Sequence, residues 1–324
     1  MNLEIADHPV ATSTDRHELI DRIESHIGSV VLGKPEVIRL ALIAFLAEGH
    51  ILIEDVPGVG KTLLARAFAA SVDGSFRRIQ FTPDLLPSDI MGSSVYNSAT
   101  GEFVFKPGPL FANVILADEI NRTTPRTQSA LLEAMSDSQV SVDGRTYPLP
   151  SPFLVLATQN PYEFEGTYVL PESQLDRFMI RIRMGYPVRS EERRVLSSHR
   201  DGEPVALLRP IISSEDVLRL QQAVRHVRVD ESIADYLLDL VHATREHEDL
   251  HVGVSTRGAL TLYRAAQSMA LVSRRDYVIP DDIKTLAAPI LSHRIVGKSF
   301  LQAGEFSSSE AIIRDIVDRL RVPS

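Results

Sequence analysis

The sequence contains no cysteine, so disulfide bonds and thiolate chemistry are excluded. It also lacks any apolar run near the roughly 20 residues that a helix needs to cross a membrane. The first residues show no basic region followed by an apolar region, as a signal peptide would require. These absences predict a cytoplasmic protein with no membrane span.

Basic residues are outnumbered in this chain: 34 lysines and arginines stand against 43 aspartates and glutamates, for a net charge of −9. Proteins that bind nucleic acids without sequence preference depend on clustered basic side chains. An acidic chain with no basic run therefore argues against nucleic acid as a partner. The length of 324 residues predicts two domains, at about 100–200 residues for each.

Five short apolar runs in the first part of the chain indicate β-strands, and helical stretches separate them. Several runs are almost continuously apolar, which is typical of a parallel sheet covered on both faces. Strands that alternate with helices favour an α/β fold. We expect strands within 50–56, 76–81, 113–120, 153–160 and 178–184, and helices within 61–72 and 125–138.

Two segments interrupt this alternation. Residues 82–110 contain "SSVYN" and "EFVFK" around "SATG", and residues 139–150 contain Asp143-Gly144 between alternating runs. Both patterns predict β-hairpins. Later in the chain, "DESIADYLLDLVHATREH" has apolar residues at helical spacing, with Asp230 as its N-cap. We therefore predict an α/β domain over residues 1–188 and a smaller, all-helical domain over 189–324.

The stretch "ILIEDVPGVGKTLLARAFA", residues 51–69, combines a strand, a glycine-rich loop and a helix. Such a loop places backbone N–H groups at a helix N-terminus, where they bind phosphate. Gly58 and Gly60 would let the backbone approach the phosphates. Lys61 would reach the β- and γ-phosphates, and Thr62 would hold Mg²⁺. The loop therefore predicts a site for ATP and Mg²⁺.

One position departs from the usual G-x-x-x-x-G-K-[ST] pattern. Asp55 stands where the first glycine is expected, and Glu54 precedes it. A carboxylate aimed at the phosphates would repel them. We therefore predict that the Asp55 carboxylate points away from the nucleotide and is hydrogen-bonded to protein or water.

Three polar residues follow predicted strands. Asp118 and Glu119 come after "NVILA", and Asn160 ends the run "FLVLATQN". The carboxyl ends of parallel strands form the edge at which α/β sheets bind ligands. There Asp118 would position Mg²⁺, and Glu119 would act as general base toward the attacking water. Asn160 would help to orient that water, although an Asn-Pro pair is also a common turn.

Two arginines are candidates for stabilising the negative charge of phosphoryl transfer, to which an arginine can contribute about 10³–10⁵ in rate. Arg177 precedes the last predicted strand, and Arg257 lies at the start of a predicted helix in the second domain. The sequence around each of them leaves open the alternative of a solvated surface arginine.

Five blocks of the chain carry a resemblance to a known family. They are "VVLGKPEVIRLALIAFLAEGHILIEDVPGVGKT", "DEINRTTPRTQSALLEAMSDSQVSVDG", "FLVLATQNP", "PESQLDRFMIRI" and "GVSTRGALTLYRAAQSMAL". In this order they resemble the MoxR family of AAA+ ATPases, from about Val30 to Leu320. The resemblance implies a P-loop ATPase domain of the AAA+ type followed by a helical lid domain, with residues 82–110 as a helix-2 insert and 139–150 as a pre-sensor 1 hairpin.

The resemblance implies a role for each candidate residue. Asp118 and Glu119 would be the Walker B acids, and Asn160 would be sensor 1. Arg177 would be the arginine finger, which reaches the neighbouring subunit's nucleotide. Arg257 would be sensor 2, which reaches the nucleotide from the lid.

The residues expected around the nucleotide follow from the same resemblance. Lys34 stands where the family often has glutamine, and "PGVGKT" replaces the family's "PGLAKT". Arg122 and Arg126 are secondary candidates for contacts between subunits. The expected binding residues are Val31, Leu32 and Gly33 near the adenine, and Pro57, Gly58, Val59, Gly60, Lys61, Thr62 and Leu63 in the phosphate loop.

The resemblance also implies a function. The protein would hydrolyse ATP with Mg²⁺ as a hexameric ring and would remodel or mature a partner protein. MoxR proteins are associated with partners that carry a von Willebrand factor A domain. The alternatives are a magnesium-chelatase-like motor subunit, a nucleic-acid-associated AAA+ ATPase, and a nucleotide-dependent switch with poor turnover.

Overall fold

The computed structural model describes residues 13–160, 167–200, 202–298 and 305–323. The strands within these residues alternate with helices in the first half of the chain and are sparse in the second. In chain order they are β1 (Ile51–Glu54), β2 (Phe76–Gln80), β3 (Gly92–Asn97), β4 (Glu102–Pro107), β5 (Val114–Asp118), β6 (Gln139–Val142), β7 (Arg145–Pro148), β8 (Leu154–Gln159), β9 (Ile180–Ile182), β10 (Leu250–Val252) and β11 (Val296–Gly297).

Five of these strands form one parallel sheet in the order β2-β5-β8-β1-β9. Each lies within one of the five predicted runs, so the parallel α/β prediction is confirmed. Gln80 pairs with Asp118 across β2 and β5, and Glu54 pairs with Gln159 across β1 and β8. Polar side chains from four adjacent strands therefore collect at the carboxyl edge of the sheet.

The helices flank this sheet and then form the second half of the chain. Asp230 caps its helix by accepting a hydrogen bond from the backbone N–H of Ser232, as predicted. Within the described residues, no helix is both long and apolar enough to span a membrane. The helices are α1 (Ser13–Gly28), α2 (Pro35–Leu46), α3 (Lys61–Ser71), α4 (Pro87–Met91), α5 (Pro125–Asp137), α6 (Glu172–Leu175), α7 (Arg189–Ser198), α8 (Ser214–Arg225), α9 (Glu231–Glu246), α10 (Thr256–Val272), α11 (Pro280–Leu291) and α12 (Glu305–Arg319).

Both predicted hairpins are present, as β3 with β4 and β6 with β7. The turn between β6 and β7 uses Asp143 at φ 51° and Gly144 at φ 73°, and a two-residue hairpin turn of this type requires positive φ at both positions. The rings of Phe105 and Tyr147 stack with centroids 4.0 Å apart, which joins the two hairpins.

The lid differs from the all-helical prediction in one detail. β10 and β11 pair as a short antiparallel ribbon beside the helices. In β10 Leu250 is buried, and His251 and Val252 are exposed. Three residues without alternating burial cannot be distinguished from a loop in the sequence.

Residues on the two faces of the sheet pack into two cores. Successive strand residues point to opposite faces, so Ile51 and Ile53 enter one core and Leu52 enters the other. The first core continues into the helical domain. There Ser268 of α10 donates a hydrogen bond from Oγ to the backbone oxygen of Ile43 in α2, at 2.9 Å. The lid is therefore packed against α2, on the side of the sheet that bears the first core.

Candidate active site

The loop between β1 and α3 turns at two glycines. Gly58 has φ 86° and Gly60 has φ 97°, a backbone region that residues with a side chain rarely adopt. A Cβ at Gly58 would meet no atom within 4 Å, so the backbone conformation, not crowding, requires glycine there. Gly60 is the N-cap of α3. The loop therefore precedes a helix N-terminus directly, as a phosphate site requires.

This loop lines an open cavity of about 550 Å³. Lys61, Asp118, Glu119 and Asn160 all border the cavity, so residues from three separate segments meet as predicted. Val59 is the exception within the loop, because its side chain packs into the first core. The other lining residues are Pro57, Gly58, Gly60, Thr62, Leu63, Arg66, Arg78, Gln80, Val195, His199 and Glu203.

Lys61 faces a group of acids. Its Nζ donates a hydrogen bond to the backbone oxygen of Asp55 at 2.8 Å. Burial lowers the pKa of Lys61, and the carboxylates of Asp118, Asp55 and Glu119 oppose that shift. The ammonium group that would meet the phosphates is therefore hydrogen-bonded to the backbone of the loop and attracted by three carboxylates.

Asp55 binds the protein with both carboxylate oxygens. Oδ1 accepts from the backbone N–H of Val56 at 2.8 Å, and Oδ2 accepts from the backbone N–H of Gly185 at 2.5 Å. The side chain is buried. The predicted hydrogen bonding to protein is confirmed, and the carboxylate connects the phosphate loop to the segment after β9.

Asp118 has a partner for each carboxylate oxygen. Thr158 donates from Oγ1 to Oδ1 at 2.6 Å. Arg78 donates from Nε and Nη2 to Oδ2, at 3.1 and 2.6 Å. Neither partner was predicted. One feature of the sequence could have indicated Arg78. Arg78 and Gln80 are polar residues at alternate positions of β2, so their side chains must face the same side of the sheet.

Glu119 adopts a left-handed backbone, with φ 58° and ψ 51°, and its N–H donates to Oγ1 of Thr158 at 2.9 Å. Its Oε2 accepts from Nε2 of Gln80 at 2.7 Å and lies 3.1 Å from Nε of Arg122. Gln80 and Arg122 therefore hold the carboxylate of the predicted general base. Arg126, the other arginine considered for subunit contacts, is exposed on α5.

A buried ion pair lies behind the phosphate loop. Nη1 of Arg181 is 3.4 Å from Oε2 of Glu54, and Gln159 donates to Oε1 of Glu54 at 2.5 Å. Burial raises the pKa of Glu54 and lowers that of Arg181, while their mutual attraction opposes both shifts. The ion pair joins the end of β1 to β9, and the bond from Gln159 joins it to β8, the strand that leads to Asn160.

The segment expected near the adenine lies beside α7. A Cβ on Gly33, at φ 70°, would be 2.6 Å from Cγ of Glu191. Residues 31–33 do not border the 550 Å³ cavity, whereas Val195 and His199 at the other end of α7 do. α7 therefore lies beside both regions, and residues 31–33 are not among the described residues that line the 550 Å³ cavity.

Arg177 and Arg257 lie together, away from the phosphate loop. Both border a second cavity, of about 220 Å³, along with Asp176 and Arg294. The structure does not bring either arginine to the loop cavity of its own chain. The expected reach of Arg257 toward a nucleotide from the lid therefore stays a prediction. The N-terminus of α10 contacts the turn that carries Arg177, where Oγ of Ser255 lies 3.4 Å from Oδ2 of Asp176.

Comparison with known proteins matches both parts of the chain. A profile of the family described as "ATPase family associated with various cellular activities (AAA)" matches residues 50–180, and one described as "AAA lid domain" matches residues 242–316. The chain is 42% identical over 313 residues to Chaperone MoxR1 of Mycobacterium tuberculosis, covering 94% of this chain and 82% of that one.

The chain belongs to the MoxR family of AAA+ ATPases.

Two further relatives span the same length. This MoxR-family chain is 51% identical over 314 residues to YeaC, an uncharacterized protein of Bacillus subtilis, covering 97% of this chain and 98% of YeaC. A crystal structure from Cytophaga hutchinsonii, provisionally described as an ATPase, matches with a TM-score of 0.87 at 41% identity, over 96% of this chain and 97% of that one. As a member of this family, the protein binds nucleotide and is an ATPase.

Proposed function

We propose that this MoxR-family protein uses ATP hydrolysis to remodel or mature a protein client, and that it acts as a hexameric ring in the cytoplasm. The observation that carries the proposal is the separation of the two cavities. Lys61, Asp118 and Glu119 border one, and Arg177 and Arg257 border the other. A site divided in this way is completed when the second cavity of one subunit faces the first cavity of the next.

The residues around the loop suit Mg²⁺. This ion takes oxygen ligands and is commonly held by one or two carboxylates together with substrate phosphates. Asp118 and Thr62 border the loop cavity, and the described residues contain no cluster of three or more His, Cys, Asp or Glu side chains for a dedicated metal site. Thr62 and Asp118 would hold Mg²⁺, which neutralises charge on the β- and γ-phosphates.

The hydrolytic step then assigns one task to each remaining residue. Lys61 binds the β- and γ-phosphates. Glu119 accepts a proton from the attacking water while the water oxygen bonds to the γ-phosphorus. The bond between the γ-phosphorus and the β,γ-bridging oxygen breaks, and ADP leaves. Asn160 orients that water. The hydrogen bond from Gln80 to Glu119, 2.7 Å long, limits the positions that the base can adopt.

The arginines come from the neighbouring subunit. Arg66 and Arg78 border the loop cavity of the same chain, but each is in an ion pair, with Glu203 and Asp118 respectively. Arg177 and Arg257 share a different face, so we assign both to the adjacent subunit's nucleotide. The resemblance implied that Arg257 reaches a nucleotide from the lid, and this assignment specifies the nucleotide of the adjacent subunit.

The two hairpins supply the surface that would contact a client. Phe103 is 70% exposed and Tyr96 is 56% exposed, and their rings lie against each other on the β3–β4 hairpin. Exposed aromatic patches on a folded protein favour protein contacts. The 42% identity to a protein named Chaperone MoxR1 supports a client that is a protein, and we propose a partner with a von Willebrand factor A domain.

Capture of the client tests this function. The Glu119→Gln variant should bind ATP and not hydrolyse it, so it should retain a von Willebrand factor A domain protein in a pull-down with ATP and release it with ADP. The matched control is Glu133→Gln, an exposed glutamate of α5, which should hydrolyse ATP normally. Near-normal hydrolysis by Glu119→Gln would contradict the assignment. Strong stimulation of hydrolysis by DNA or RNA would favour the nucleic-acid alternative instead.

A further inference from the structure

We propose that Arg294 is a positioning residue that holds Arg177 and Arg257 at a fixed separation on one face of the subunit. This inference rests on the proposal that both arginines act on a neighbouring subunit's nucleotide. Arg294 follows α11, and its side chain is 1% exposed. It therefore acts through the two arginines and does not touch the nucleotide.

The guanidinium group of Arg294 is enclosed by the turn that carries Arg177. Its Nε donates to Oδ1 of Asp176 at 2.8 Å. Nη2 donates to the backbone oxygens of Asp176 and Phe178, at 3.2 and 2.5 Å. Nη1 donates to the backbone oxygen of Met179 at 3.2 Å. One rigid fork of donors therefore fixes the backbone on both sides of Arg177.

The stem of the same side chain contacts the first turn of α10, which carries Arg257. A Cβ on Gly258 would lie 3.1 Å from Cδ of Arg294, so α10 rests almost directly on that stem. Ser255, the N-cap of α10, lies with its Oγ 3.4 Å from Oδ2 of Asp176. Arg294 and Asp176 thus contact both arginine-bearing segments.

The charges agree with this arrangement. Burial lowers the pKa of Arg294 to about 10, while Asp176 acts to raise it and Arg257 acts to lower it. The guanidinium group therefore stays protonated at neutral pH. Asp176 offsets the positive charge of Arg294 that would otherwise repel Arg257, so the carboxylate allows two arginines to approach.

Two variants separate positioning from folding. Arg294→Lys keeps the positive charge but loses the planar guanidinium group and its several N–H donors. Asp176→Asn keeps the size of the side chain but loses its charge. The matched control is Arg275→Lys, because Arg275 also pairs with a buried aspartate of the lid, Asp282, at 2.8 and 2.6 Å, without contacting the Arg177 turn. All three proteins are examined for thermal unfolding and for binding of a fluorescent ADP.

The expected pattern is a loss of hydrolysis without a loss of binding. Arg294→Lys and Asp176→Asn should bind ADP within twofold of the unsubstituted protein, because the phosphate loop is intact. Their hydrolysis should fall about tenfold or more, since small displacements of a catalytic group can cost roughly 100-fold. Arg275→Lys should retain hydrolysis even if its melting temperature falls.

Mixing subunits then locates the defect. Glu119→Gln subunits carry intact arginines, so adding them should restore hydrolysis to Arg294→Lys subunits. Adding Arg177→Ala subunits should not, because both variants damage the same face. If the Arg294→Lys protein unfolds or aggregates, neither added subunit would restore its hydrolysis. The same mixtures are then made with Asp176→Asn in its place.

The outcomes distinguish this inference from the proposed function. If Arg177→Ala is restored by Glu119→Gln but Arg294→Lys and Asp176→Asn are not, Arg294 is a structural residue and the inference is wrong. Full hydrolysis by Arg294→Lys and Asp176→Asn alone would also overturn it. If even Arg177→Ala and Glu119→Gln fail to restore each other, the division of the site between subunits is wrong, and the inference falls with it.

Discussion

The guanidinium group of Arg78 donates two hydrogen bonds to Oδ2 of Asp118, at 3.1 and 2.6 Å. Thr158 occupies the other oxygen, Oδ1, at 2.6 Å. The carboxylate assigned to Mg²⁺ therefore has a protein cation as its partner. Arg78 would therefore compete with Mg²⁺ or its waters for Oδ2 of Asp118.

Removal of Arg78 should make Mg²⁺ more effective. An ion pair this exposed is worth about 0.2–1 kcal/mol, so Arg78→Ala should lower the Mg²⁺ concentration that half-saturates ADP binding by up to about fivefold. Titration of Mg²⁺ against a fluorescent ADP measures the change. The control is Arg77→Ala, on the opposite face of β2. A higher Mg²⁺ requirement in Arg78→Ala would show that Arg78 supports nucleotide binding instead.

Thr158 organises both acids and should be sensitive to loss of its hydroxyl. Thr158→Val keeps the shape but removes the bond to Asp118 and the acceptor for the Glu119 N–H. Hydrolysis should fall about tenfold or more through misplacement of the acids, and the free energy of unfolding should fall by about 1–3 kcal/mol. Thr158→Ser should retain most activity. Equal steady-state rates for the valine and serine variants would contradict this role.

Asp55 should support the phosphate loop even though its position usually holds glycine. Asp55→Gly restores the usual residue but removes the bonds to Val56 and Gly185. Each charge-assisted hydrogen bond is worth about 1.5–3 kcal/mol of stability. Because their loss leaves the loop less ordered before it binds nucleotide, we expect ADP affinity to fall about tenfold or more, and Asp55→Asn to lose less. Tighter binding by Asp55→Gly, measured by calorimetry, would mean that the carboxylate repels the phosphates.

The phosphate loop, the five strands and both hairpins could be predicted because each depends on neighbours in the sequence. Arg78, Gln80 and Thr158 could not, since their roles require β2 and β8 to flank β5. The order of the strands in the sheet differs from their order in the chain, so it cannot be read from the sequence. Only the alternation of Arg78 and Gln80 along β2 indicated that the two share a face.

The lid shows the same limit. The start of α10 was predicted from its sequence, but the direction in which the lid packs was not. The contact between Ser268 and Ile43 places α10 on α2, and the contacts of Ser255 and Gly258 with Asp176 and Arg294 place Arg257 beside Arg177. Contacts between residues far apart in the sequence therefore determine that Arg257 borders the 220 Å³ cavity.

Two buried histidines should make the fold sensitive to acid. His50 accepts from the backbone N–H of Val155 through Nδ1 at 3.1 Å and lies 3.0 Å from the backbone oxygen of Met135 through Nε2, so it is neutral. Burial lowers the pKa of His50 from 6.5 to about 4, and burial also lowers that of His293. Between pH 6.5 and about 4, the unfolded chain therefore binds more protons than the native protein.

The sign follows from that difference: stability falls as pH is lowered from about 6.5 toward 4. His50 alone should reduce the free energy of unfolding by about 2 kcal/mol between pH 7 and pH 5. Urea unfolding at the two pH values measures this. His50→Gln, although less stable at pH 7, should show a smaller difference between them. An equal pH dependence in the variant and the unsubstituted protein would contradict a neutral, buried His50.

The division of the active site between subunits is tested most directly by hydrolysis in pairwise mixtures of three inactive variants. Arg177→Ala and Arg257→Ala should each regain activity when mixed with Glu119→Gln, because the last supplies both arginines to a neighbour with an intact loop. Arg177→Ala mixed with Arg257→Ala should regain none, since each interface then lacks one arginine. Recovery in that third mixture would show that Arg257 serves its own subunit's nucleotide, and no recovery in any mixture would contradict the shared site altogether.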